Sequence, residues 1–420
     1  MAALGVWPAP GARRISRGRR GMRNERQGPG WVGLVLLWLL GADLRVTILA
    51  VPPLLPLIHR DLPLNEKLVA ALTGMPVLLF GLAAIPGSLL IARLGARRAA
   101  VLGVLAVGIA SALRGIGPSL PMLFAMTIVM GAGVAVMQPA LPALVGRWFP
   151  TRVPLATAIY ANGLLIGEML AAGLTIPLIL PLTGGSWGKS FAVWSIPPLA
   201  TAALVLLFRE SGPLRTAEAG RMRWWPDWRD PRTWLLGILS GGASALYFGC
   251  NAFLPDYLHA LGRPGLVDLG LTALNAGQFP ASLLIMAFGL RLARQRAPFF
   301  AAAVLGLIAL GGLTIPFAPV LIAASALAGF AAASILILTL SLPPLLAAPD
   351  DVHRLAAAML ALGYTITFFV PYAAGAIWDA SHLAVSALLP GVAGAAMVIG
   401  GAAVIDLRPR TVSSTARSGP

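Results

Sequence analysis

The sequence predicts an all-α polytopic membrane protein, with twelve transmembrane helices forming two pseudo-symmetric six-helix bundles. Three observations predict it. The 420 residues are 58% hydrophobic and only 11% charged, with a mean hydropathy of +0.84, whereas a soluble chain carries about 25% charged residues. Apolar runs long enough to cross a hydrocarbon core, which takes about 20 residues, recur along the whole chain. The basic residues between those runs alternate: of 31 Lys and Arg, 25 fall on one side of the resulting topology, four on the other and two inside helices. This is the positive-inside bias. The net charge of +16 therefore reflects orientation in a bilayer, not a nucleic-acid partner.

Residues 1–30 hold seven arginines, Arg13 to Arg26, and read as a basic cytoplasmic tail. They are not a cleavable signal, because the following apolar run is too long for an h-region and is interrupted by Asp43-Leu44-Arg45. Met22 is an alternative start. The first six spans are expected near 31–58, 68–93, 98–117, 119–145, 153–181 and 190–208. Residues 209–232, with six arginines and Trp224, Trp225 and Trp228, form a cytoplasmic linker at headgroup level. The second six are expected near 233–257, 268–290, 297–316, 318–346, 355–380 and 383–405, before a cytoplasmic tail at 406–420. Ala297–Pro349 contains no charge at all. As one helix it would be about 80 Å long at 1.5 Å per residue, so it must fold back, and Pro316 with Pro319 marks the turn. Outer loops carry only Arg60, Lys67, Lys189 and Arg263, and an odd number of spans would move a basic cluster outside.

The two halves read as copies. Leu55-Pro56 recurs as Leu254-Pro255 and Leu72-Thr73 as Leu271-Thr272, both shifted by 199, while the segment from Leu141 echoes that from Leu342, shifted by 201. Parallel six-helix repeats place a site at their interface near the bilayer midplane.

Four charged residues lie well within spans: Asp43, Arg45, Arg114 and Glu168. A charge at that depth costs at least about 2.5 kcal/mol on insertion scales and marks a functional polar site by default. Residues i and i+2 do not face each other on a helix, so Asp43 and Arg45 each need a partner elsewhere. Arg45 is the sharpest substrate-binding candidate, because its guanidinium offers five fixed donors and cannot be titrated away. Its structural alternative is an ion pair with Glu168. Asp43 either orients Arg45 through water or takes up a proton. Glu168 follows the small-residue frame Gly163–Gly167, where backbones approach closely, and is the proton-coupling candidate. Arg114, at the outer end of span 3, is expected to snorkel to the interface. Gln138, Tyr160, Asn162, Asn251, Asn275, Gln278, Tyr364 and Tyr372 serve first as interhelical hydrogen-bonding groups. Of these, Gln138, Asn251 and Tyr364 are further substrate-contact candidates, the last two because spans 7 and 11 should border the cavity. The residues point to a small anion or polar planar solute.

Two rivals remain. Proton-driven efflux of apolar drugs would make Glu168 essential and Arg45 dispensable. An intramembrane enzyme or non-transporting receptor is the other, but no G-x-S-x-G, H-E-x-x-H or C-x-x-C motif occurs. The four histidines, His59, His259, His353 and His382, sit near span ends and read as interfacial. Cys250 is the single cysteine. No enzyme activity, cofactor or metal is expected.

The stretch PGSLLIARLGARR from Pro86 resembles the loop 2–3 signature of the major facilitator superfamily, matched at Arg93, Gly95 and Arg97. Ala92 stands where an acid is usual and Ser88 where a glycine is usual, beside Gly87. The resemblance implies the superfamily fold and a conformational-switch role for Arg93, Gly95 and Arg97. Several stretches are similar to the cyanate and nitroimidazole transporter branch: Asp43–Arg45 followed by PPLLPLI, LTGMPVLLFGL from Leu72, QPALPALVGRWFP from Gln138, FLPDYL from Phe253 and GYTITFFVPYAAGAIWD from Gly363. That branch usually shows Asn at the place of Asp43. It implies transport of cyanate-like anions or nitroimidazole-type compounds by alternating access, in a bacterial inner membrane with both termini cytoplasmic and protons as a candidate coupling ion.

Overall fold

The computed structural model describes residues 30–62, 66–116, 119–208 and 223–407. The arginine-rich tail with Met22, much of the linker and the last residues lie outside them. Among the described residues every regular element is helical. Ten segments are long and apolar enough to cross a bilayer, and the pair Met75–Leu82 and Ala84–Leu94, bent by 52°, makes an eleventh as span 2. The shorter apolar helix Ala297–Leu313 has 17 residues, at the lower limit of about 17 for a crossing, and completes the expected twelve as span 9. The others are Gly30–Asp61 (span 1), Ala96–Arg114 (3), Leu120–Trp148 (4), Val153–Leu182 (5) and Trp187–Leu207 (6). In the second half they are Pro231–Ala260 (7), Pro264–Gly289 (8), Ala318–Leu346 (10), Val352–Ser381 (11) and Ala384–Val404 (12).

Several spans are broken, and proline explains where. A proline has no N–H to donate and its ring collides with the carbonyl four residues back. Pro86 so disrupts Leu82, and span 2 bends at Ala83 between Glu66–Leu82 and Ala84–Leu94. Pro280 does the same to Ala276, and the helices of span 8 part at Gly277. Span 1 falls into three helices, Gly30–Asp43, Val46–Leu49 and Val51–Asp61. Pro52 and Pro53 release the carbonyls of Ile48 and Leu49 at the second break. At the first, Leu44 and Arg45 turn with φ −125° at Arg45, and their N–H groups reach back three residues to Gly41 and Ala42.

The packing repeats with a period of six spans. Spans 1/5, 2/4, 3/4, 3/6 and 1/6 pack in the first half, and 7/11, 8/10, 9/10, 9/12 and 7/12 in the second. Contacts between the halves obey the same two-fold relation, pairing 5 with 8 and 11 with 2, then 4 with 11 and 10 with 5. Small residues set the closest crossings. A Cβ at Gly41 would collide with the Tyr160 carbonyl, one at Gly163 with the Trp38 carbonyl and one at Gly167 with the Ala42 carbonyl, so spans 1 and 5 touch backbone to backbone. In the second half Gly329 lies likewise on the Leu274 carbonyl and Gly277 on the Ala326 carbonyl. This is the fold of two related six-helix halves expected from the sequence.

The halves meet most tightly at the end carrying the basic loops, called here the inner end. A Cβ at Gly146 would press on Pro344, and one at Gly289 on Pro154. The described part of the linker ties both halves there: Ser88 Oγ donates to the Trp224 carbonyl at 2.9 Å, and Arg354 to the Trp225 carbonyl at 3.4 Å. In the span 2–3 connection Gly95, at φ +82°, ends one helix and starts the next. Arg97 donates to the carbonyls of Val205 (2.7 Å), Leu206 (3.2 Å) and Phe208 at the end of span 6, where helix carbonyls lack partners and a cation is favoured. Its bonds stay inside the first half. Arg93 is exposed.

Two expectations are corrected. Arg114 does not snorkel: it is 1% exposed, lies over the Phe191 ring at 4.4 Å and donates through Nη2 to the Thr47 carbonyl at 2.8 Å. His353 is not interfacial but buried at 2% exposure, because the start of span 11 is packed into the inner end.

Two outcomes are expected. Arg97→Ala should lower unfolding stability in detergent by about 1.5–3 kcal/mol, the scale of a hydrogen-bonded charge, read by thermal melting. Gly167→Val should do worse, since no side chain can move to admit a methyl against a carbonyl, with loss of folded protein on gel filtration.

Candidate functional site

The break in span 1 turns Arg45 out of the helix and into the space between the halves. It shares a chamber of about 80 Å³ with Gln138, Tyr160, Glu168, Tyr247, Gln278 and Tyr364, on otherwise apolar walls such as Leu336 and Leu340. A second, outer cavity of about 360 Å³ also touches Arg45, Glu168 and Tyr247, and adds Asn251 and Arg114. The backbone crossing of spans 1 and 5 puts Glu168 on the same space as Arg45. They make no direct ion pair among the described residues, since neither has a bonded opposite charge. The Phe80 ring lies 5.9 Å from the guanidinium carbon of Arg45. Its Nε is buried and unpartnered.

Two hydrogen bonds and one longer polar contact cross from one half to the other. Gln138 on span 4 donates to the Tyr364 hydroxyl on span 11 at 2.8 Å. Asn162 on span 5 donates to Ser282 Oγ on span 8 at 3.0 Å, while accepting from Trp38 at 3.1 Å. Tyr247 on span 7 lies 3.4 Å from Glu168 Oε1 and donates to Asn275 Oδ1 at 2.6 Å, where Gln278 also donates at 3.2 Å. The Tyr364 ring packs edge-on against Phe80 at 5.4 Å.

Of the residues expected from sequence, Arg45, Gln138, Glu168 and Tyr364 come together in the chamber, and Asn251 lines the outer cavity. Asp43 does not join them. It is 2% exposed and hydrogen-bonds with Thr201 on span 6, because it ends the first helix of span 1 on the face packed against span 6, while the turn at Leu44–Arg45 carries Arg45 away from that face. Arg93, Gly95 and Arg97 lie at the inner end of spans 2 and 3 and line neither cavity. Sequence reasoning missed Tyr247, Phe80 and Phe248. Tyr247 sits four residues before Asn251, so the pair stacks on one face, which was the available signal. No group of three or more His, Cys, Asp or Glu that could hold a metal occurs among the described residues.

A polar chamber between two related six-helix halves defines a solute transporter of the alternating-access type. Residues 37–371 match the Major Facilitator Superfamily, and the chain belongs to that family. It is similar to the Escherichia coli cyanate transport protein CynX, 28% identical over 82% of this chain and 89% of that protein. It is as similar to the Escherichia coli 2-nitroimidazole transporter, 28% identical over 82% of this chain and 87% of that one. Among solved structures it resembles the fucose:proton symporter FucP in the outward conformation, with TM-score 0.68, 16% identity and coverage of 88% and 97%. The human organic anion transporter MFSD10 superposes with TM-score 0.71 at 16% identity, covering 90% and 99%.

The Gln138–Tyr364 bridge should behave as a coupled pair. In a cycle of Gln138→Leu, Tyr364→Phe and the double variant, the melting data should show a coupling of about 0.5–1.5 kcal/mol.

Proposed function

We propose that this protein carries a small planar anion, or a planar solute with an anion-like edge such as a nitro group, across a bacterial inner membrane by alternating access. One observation carries the reading: the Arg45 guanidinium, held at the break of span 1, faces the chamber between the halves without a bonded carboxylate. A planar fork of N–H donors suits a planar acceptor, and the low local dielectric strengthens the pairing. The cyanate and 2-nitroimidazole relatives fit the same chemistry. Gln138, Tyr364 and Tyr247 supply further polar contacts, and Asn251 meets the solute in the outer cavity. The work is transport, not catalysis.

In this reading the basic loops are cytoplasmic, with both termini inside, a first half at 31–208 and a second at 233–405. Tight packing at the inner end and a cavity at the other then make the present state outward-facing. Glu168, whose Oε1 lies 3.4 Å from the Tyr247 hydroxyl across the halves, is the proton acceptor: a proton there weakens its pull on Arg45 and frees the guanidinium for solute. Asp43 is a supporting group, holding span 1 to span 6 through Thr201. Arg93, Gly95 and Arg97 form the hinge between spans 2 and 3.

Uptake of labelled cyanate into proteoliposomes tests the reading. Arg45→Lys, which keeps charge but loses the fork, should cut uptake at least tenfold, and Glu168→Gln should abolish its dependence on a pH gradient while leaving exchange of solute for solute. Full uptake by Arg45→Lys contradicts the anion contact. An unchanged pH-gradient dependence in Glu168→Gln contradicts the coupling role.

A further inference from the structure

Arg114 is the charged group that the transport reading leaves unused. It sits at the outer end of span 3, where it is 1% exposed and forms part of the lining of the outer cavity. Nη2 caps the Thr47 carbonyl freed by the break in span 1, but Nε and Nη1 are buried without partners. No carboxylate pairs with it among the described residues. Besides the bond to Thr47, among the described residues the face of Phe191 lies 4.4 Å from the guanidinium carbon, a cation–π contact that offsets part of the burial of the charge. A buried cation without a countercharge is destabilising. Two unsatisfied donors of one buried guanidinium, next to a cavity of about 360 Å³ that reaches Arg45, make an arrangement completed by an anion.

We propose that Arg114 forms a second anion site, on the outer side of Arg45, for a small monovalent anion. Two sources share this chemistry: the transported anion waiting in the cavity, and a resident halide. If it is the transported anion, the two arginines define an entry route from Arg114 to Arg45; that ordering rests on the anion reading of Arg45, whereas the site itself does not. Its tie to Thr47, two residues from Arg45, means that filling the site also steadies the segment Val46–Leu49 beside the inner contact.

Anomalous diffraction from crystals of the unmutated protein grown in bromide tests the site directly. A bromide peak touching Arg114 Nε or Nη1 is expected, lost in Arg114→Gln and retained in Arg45→Ala. Displacement of that peak by excess cyanate identifies the transported anion as its occupant, and persistence identifies a resident halide; both support the site. In solution, bromide binding measured by the rise in melting midpoint should weaken at least tenfold in Arg114→Gln. A peak at Arg45 alone, or none, overturns the site at Arg114. A peak at Arg114 without one at Arg45 supports this inference while counting against the inner contact, so the two claims fail separately. Should Arg114→Gln not fold, the unmutated crystals decide.

Discussion

A permanently charged guanidinium within a membrane span constrains everything around it. Arg45 cannot shed its proton, so the fold has to offer it polar surroundings. The backbone breaks at Leu44–Arg45 to swing it out of span 1. Glycines at 41, 163 and 167 let spans 1 and 5 touch, which brings Glu168 to the same chamber. Tyr247 and Tyr364 arrive from the second half. Neither half alone encloses the charge, so the site exists only as a joint feature of the two.

That joint character ties solute binding to motion. The polar bridges Gln138–Tyr364, Asn162–Ser282 and Glu168–Tyr247 all cross the half-to-half interface near the charged pair. Each is worth about 1 kcal/mol net, small enough to be exchanged as the halves rock. At the inner end, by contrast, contact runs through Gly146 on Pro344 and Gly289 on Pro154, packing that can separate without leaving charges unpaired. In the proposed mechanism a proton at Glu168 or a solute at Arg45 acts where the two halves meet.

Much of this was legible in the sequence. Apolar runs, basic loops and repeated dipeptides fixed the count of twelve and the division into halves, because membrane insertion leaves few alternatives. Arg45, Glu168, Gln138 and Tyr364 were visible as polar groups in apolar surroundings, and Gly163–Gly167 announced the close crossing. Orientation about the helix axis was harder. The break that separates Asp43 from Arg45 depends on tertiary partners, and Asp43 turned towards Thr201 instead of the chamber. Arg114 was read as snorkelling from its place near a span end, yet the freed Thr47 carbonyl and the Phe191 ring draw it inward. Tyr247 was overlooked although it lies one helical turn before Asn251; its part in the site shows only in the structure, where its hydroxyl meets Asn275.

The most direct measurement asks whether water and anions reach position 45. With Cys250 replaced by Ser, Arg45→Cys can be reacted with a membrane-impermeant, negatively charged thiol reagent in sealed, oriented proteoliposomes. The account predicts labelling by the impermeant reagent from the outer face. Labelling confined to lipid-soluble reagents would place that side chain against lipid and contradict the shared polar chamber on which the transport mechanism depends.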